Sequence, residues 1–64
     1  MLETTETTWY IVKKLNQTCE IISDQALAAI PAAEILEQWG GFGSRGEAIA
    51  KRVGLIRAGK CQPL

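Results

Sequence analysis

Histidine is absent from this 64-residue chain, and Asp24 is its one aspartate. Without histidine there is no acid–base group whose ordinary pKa lies near neutrality. The glutamates are scattered, with no pair marked out for a shared site. The sequence therefore predicts a protein that is not an enzyme, with no catalytic, cofactor-binding or metal-binding residue. Its two cysteines, Cys19 and Cys61, are too few for a zinc site, which takes four ligands in paired spacing. No apolar run is long enough to span a bilayer. The opening "MLETTETT" has neither a basic region nor an apolar core, so no secretory leader is expected. A cytoplasmic location follows as the expectation, and with it two free thiols. Cys19 then serves as a small core hydrophobe. Cys61, beside Lys60 in the basic tail "RAGKCQP", is expected to be exposed, where Lys60 and Arg57 would activate its thiol. The alternative is a disulfide tying that tail to the strand that carries Cys19.

A chain of this length makes one domain and buries only about 60% of its unfolded surface. Such domains usually need disulfides, a metal or a partner chain. Residues 1–8 are polar and aperiodic and read as a loosely held tail, leaving 9–64 as a single small domain. The formal net charge is zero, but it is unevenly spread. Residues 1–43 carry two lysines against six acids, and residues 44–64 carry five cations against Glu47. The segments thus stand at −4 and +4. This split marks either an anionic partner for the basic end or two regions that face each other.

"WYIVKKL" is rich in aromatic and β-branched residues and predicts a strand from Trp9 to about Lys14. "NQT" reads as a turn with Asn16 in the left-handed conformation, and Cys19–Ile22 as a second strand. The expected architecture is α+β: an antiparallel hairpin packed against a C-terminal helix, with room for a third short strand. Alternation places Trp9 and Ile11 on one hairpin face and Tyr10 and Val12 on the other. Both faces are therefore apolar and both require a cover. Tyr10, Val12 and Ile22 form the candidate contact face for a protein partner or a second copy.

The middle segment "SDQALAAIPAAEILEQWGG" admits two readings. In one, Ser23 or Asp24 caps a short helix that stops before Pro31. Pro31 then opens a second helix with Ala32, Ile35, Leu36 and Trp39 on one face. In the other, "EQWGGF" is a third strand. The residue pattern favours helix for the earlier part and extended or turn structure from about Gln38 to Phe42. Further on, "SRGE" fits a capping box over Ser44 and Glu47, followed by an apolar stripe of Ala48, Ile49, Val53 and Ile56. Gly54 is either the end of that helix or an interior glycine.

The glycine-rich "GGFGSRG" lacks the lysine and spacing of a phosphate-binding loop and reads as a turn before a capped helix. Trp9, Trp39 and Phe42 read as core anchors. Ala50 and Gly54 have the spacing of the first helix and turn of a helix-turn-helix, yet Gly59 and Pro63 interrupt the stretch that would be the recognition helix.

"WYIVKKLNQTCEII" followed by "WGGFGSRGEAIAKRVGLIRAGKCQP" resembles a family of short uncharacterised cyanobacterial proteins with a β-β-α unit, some of them labelled transposase-related. The resemblance covers residues 9–63. It implies an α+β fold and carries over no functional residue. Gly41 stands where a proline is usual, which implies a looser turn before Phe42.

Two functions are expected from these readings. The first is a non-catalytic protein-interaction or self-associating module. The second is nucleic-acid binding through Arg45, Lys51, Arg52, Arg57 and Lys60, which would weaken steeply with salt.

Overall fold

The computed structural model describes residues 7–63 and has the α+β architecture expected. Strand β1 (Trp9–Lys14) pairs antiparallel with β2 (Cys19–Ser23) and, on its other side, with β3 (Ile35–Phe42). The sheet order is β2-β1-β3. Between β2 and β3 lie a short helix, α1 (Asp24–Ala28), and a single 3-10 turn at Ala32–Glu34. A longer helix, α2 (Arg45–Arg57), follows β3.

The hairpin turn differs from expectation in one residue. Gln17, not Asn16, takes the left-handed conformation, at φ 76°. Asn16 is instead a hydrogen-bond acceptor. Its Oδ1 takes the Thr18 backbone N–H at 3.1 Å and the Thr18 hydroxyl at 2.7 Å. An asparagine side chain that closes the turn this way leaves the strained backbone angle to its neighbour.

Ser23 caps α1, its hydroxyl accepting the Ala26 N–H at 3.2 Å. Pro31 does not open a second helix. Its ψ of 136° is extended, and only one 3-10 turn follows before β3 begins at Ile35. The helical reading of 32–39 is thus replaced by a strand. Two register shifts against β1 disguise that strand in the sequence: Lys13 pairs with Glu37 but Lys14 with Ile35, and Tyr10 pairs with Gly40 but Trp9 with Phe42. Leu36 and Gly41 are left without partners. Each extra residue breaks the two-residue alternation. Ile35, Leu36, Trp39 and Phe42 therefore acquire a spacing that imitates a helix face.

Gly41 does not sit in the looser turn that the resemblance implied but lies within β3. A Cβ there would overlap the Thr8 methyl group, and one on Gly40 would overlap the Tyr10 ring. Tyr10 lies across this glycine pair, a close approach that only glycine permits. Of the expected tail, residues 1–6 lie outside the described residues. Thr8 is tied in, its carbonyl accepting the Asp24 N–H at 2.9 Å.

The core lies between α2 and the sheet face that carries Ile11. Ile11, Cys19, Ala48, Leu55 and Cys61 are buried together, with Trp9, Ile21, Trp39, Phe42 and Ile56 packed around them. A disulfide joins Cys19 to Cys61, with Cα atoms 5.7 Å apart. The expectation of free thiols is overturned, and Cys61 is buried, not exposed. The reason is the path of the tail. The Lys60 N–H bonds the Leu55 carbonyl and the Gly59 N–H bonds the Ile56 carbonyl, with Gly59 at φ 81°. This helix-ending motif turns the chain back over the core. The Gln62 N–H then reaches the Gln17 carbonyl at 3.0 Å, which brings Cys61 beside the start of β2. Gly59 is therefore the helix stop, and Gly54 is an interior glycine.

Candidate functional site

Serine capping sets the start of α2 and so the phase of everything it displays. The Ser44 hydroxyl accepts the Glu47 N–H at 3.2 Å. The Glu47 carboxylate reaches one residue further than a standard capping box, accepting the Gly43 N–H at 3.0 Å. With this phase, Ala48 and Leu55 are buried against the sheet, and Arg52 and Ile56 are half-buried. Ile49 and Val53, expected on the inner stripe, face outward at 42% and 43% exposure. The reason is geometric: at 100° per residue they stand well off the line through Ala48 and Leu55.

Arg45, Ile49, Val53 and Arg57 fall at four-residue steps, all exposed. Such a row forms one continuous oblique ridge on a helix. It runs for about 18 Å, apolar at its centre and cationic at both ends. Lys51 lies off this ridge, and Lys60 follows the helix in the closing turn. The five cations of the basic segment thus surround α2 and do not converge on one face.

At the opposite end of β3 from α2's start, Leu15 is 58% exposed and Leu36 47%. Leu15 and Glu34, with Lys14 and Asn16, line an open depression of about 350 Å³. Glu34 and Glu37 are exposed on either side of Leu36. The Lys14 ammonium lies 3.4 Å from the Glu20 carboxylate. Among the described residues this is the one ion pair, and it joins two residues of the acidic segment. Among the described residues no ion pair joins the acidic segment to the basic one.

Of the contact face expected on the hairpin, Val12 offers no surface at all: it is 0% exposed. It stands between Glu20 and Gln38 in register and lies outside the cluster beneath α2. Helix α1 touches both β1 and β2, yet gives no residue to that cluster. Val12 is enclosed on the opposite face of the sheet from Ile11. Tyr10 and Ile22 are half-buried. Ala50 and Gly54 are both exposed, and α2 continues through Gly54 to Arg57, so no second helix packs there in the helix-turn-helix manner.

Among the described residues no helix is long and apolar enough to cross a membrane. Among the described residues no group of three or more His, Cys, Asp or Glu side chains is placed to hold a metal ion. No known family, curated protein or solved structure matches the chain.

Proposed function

We propose that this protein is a non-catalytic interaction module whose contact surface is the outer side of α2. The observation that carries this reading is the exposed pair Ile49 and Val53. Surface helix positions ordinarily take good helix formers, and β-branched residues there lower helix propensity. Two such residues on an outward ridge, in a chain with so small a core, are explained by a partner that covers them. Cross-linking in cells that make the protein tests this. The wild-type chain is expected to form adducts that Ile49→Asp removes while its melting temperature is unchanged. Identical adducts from both proteins would reject the surface.

Nucleic-acid binding is the second reading. In its favour, none of Arg45, Lys51, Arg52, Arg57 and Lys60 is in an ion pair among the described residues. Against it, the cations surround the helix and do not form one stripe along it. Titration with duplex DNA and single-stranded RNA at two salt concentrations decides: binding by phosphate contacts must fall steeply with salt, and no binding at low salt removes this reading.

The cytoplasmic placement expected from the sequence is opposed by the Cys19–Cys61 bond, because reducing compartments keep thiols unpaired. Alkylation in intact cells, read by mass, tests it. Two alkylated cysteines would restore the cytoplasm, and none would exclude it.

A further inference from the structure

We infer that the Cys19–Cys61 bond is a redox latch: a dithiol reductant opens it by attack on Cys61, which releases residues 59–62 from the edge of β2 and unpins α2. The latch is independent of the interaction-module reading.

The two half-cystines are held very differently. Cys19 stands in the β1–β2 ladder, opposite Lys13, and is fully buried. Cys61 is the one buried residue between Arg57 and Pro63. The Gly59 and Lys60 N–H groups bond only back to the end of α2, at Ile56 and Leu55. Besides the cystine, a single backbone hydrogen bond ties the segment to the sheet among the described residues. It runs from the Gln62 N–H to the Gln17 carbonyl at 3.0 Å. No side chain from 58 to 63 takes part in a hydrogen bond or an ion pair among the described residues. Opening one hydrogen bond at an exposed end is among the cheapest local openings a fold offers. Gly59, at φ 81° and with open space where a Cβ would stand, is the joint on which the segment turns.

Access follows the same asymmetry. A thiolate must reach the sulfur it attacks. Cys19 is reached only by breaking strand pairing, and Cys61 by turning out the segment that carries it. The first thiolate of the reductant therefore bonds to the Cys61 Sγ, and Cys19 leaves as a thiolate and takes up a proton. The second thiol of the reductant then gives up its proton, closes on the first sulfur and expels Cys61, which takes that proton. Two electrons pass to the protein, and the reductant becomes its own disulfide. Cys61 thereby leaves the cluster of Ile11, Cys19, Ala48 and Leu55, and α2 is held by its side chains alone.

The strength of the bond suits a latch. By linkage, folding and the bond reinforce each other to the same extent. For a loop of 42 residues this amounts to about 10³-fold in the thiol–disulfide equilibrium. A domain this small has little more than that to lend. The bond therefore stays within reach of a dithiol, and reduction carries the pin on α2 with it.

Reduction of the oxidised full chain by dithiothreitol, in buffer without denaturant, tests this. The rate is expected to rise in proportion to the dithiol and to pass the rate of global unfolding of the oxidised protein, because only residues 59–62 have to open. With glutathione, a monothiol, and an alkylating quench at early times, the mixed disulfide should be found on Cys61 and the alkyl group on Cys19. At equilibrium the native chain should close its bond about 10³-fold more strongly than the chain in denaturant. A rate that levels off at the global unfolding rate would overturn the proposal, since the bond would then open only with the whole fold. So would glutathione on Cys19. A native bond that dithiothreitol leaves closed at every concentration would mark a permanent pin and would overturn it too.

Discussion

Ile11 and Val12 are adjacent on the central strand and neither exposes any surface, yet they are buried in different ways. Ile11 lies beneath a thirteen-residue helix, among side chains anchored by a cystine. Val12 lies on the other face, outside that cluster, and the five-residue helix α1 contributes no fully buried residue of its own. One face is closed by a covalently pinned layer. The other has no such pin. A very small domain can enclose both sides of a sheet only if at least one cover is held by more than burial.

The cystine is the largest test of that contrast. It closes a loop of 42 residues. In the chain-entropy model such a bond contributes about 4 kcal/mol by restricting the unfolded chain. That is close to the whole stability expected of a domain this size. Cys19→Ser/Cys61→Ser, or addition of reductant, should therefore lower the melting temperature drastically or abolish the transition. A melt that hardly moves would mean that the α2 face holds without its pin.

Truncation of the two neighbours comes next. Ile11→Ala should cost about 2–5 kcal/mol. Val12→Ala should cost less, and by more than the ~0.8 kcal/mol of the one extra methylene removed. The surroundings of Ile11, held by the cystine, relax less into the cavity. Chemical denaturation of both variants measures this. Equal losses after that correction would erase the distinction between the faces.

The Val12 face is further defined by the Tyr10 ring lying over Gly40 and Gly41. Gly40→Ala should destabilise by about 1–3 kcal/mol, as overpacking does. Part of that loss should be recovered when Tyr10→Ala removes the obstructing ring. Additive effects of the two changes in a double-mutant cycle would show that the contact is not what fixes the glycine.

These features differ in how far the sequence announced them. Strands β1 and β2 were legible because Trp9–Lys14 and Cys19–Ile22 have strong strand composition and a short turn between them. The caps at Ser23 and Ser44 were legible because a cap is a local signal. Strand β3 was not, because the unpaired Leu36 and Gly41 disguise its alternation. The cystine was not, because it depends on where the Gly59 turn sends Cys61, a matter of tertiary path. The α2 ridge is present in the sequence as a four-residue spacing, but its Ile49 and Val53 also fit an inward apolar stripe with Ala48 and Ile56. Apolar residues occupy much of that helix's circumference, and only its packed phase, set by Ala48 and Leu55, separates inner from outer.

The smallest effect concerns the helix that closes the Ile11 face. Gly54 lies in the interior of α2, exposed, and a Cβ built on it meets nothing within 4 Å. Unlike Gly59, its backbone does not take a positive φ. Glycine there leaves the unfolded chain more freedom and weakens the helix for no steric reason within the fold. Gly54→Ala should therefore stabilise by about 0.5–1 kcal/mol, read as a raised denaturation midpoint with an unchanged slope. Position 54 stands about 140° from Ile49 on the helix circumference, although Arg57 is its neighbour one turn on. The gain should therefore come without loss of the cross-linked adducts that depend on Ile49. A stabilised variant that also loses those adducts would extend the contact surface from Ile49 to position 54.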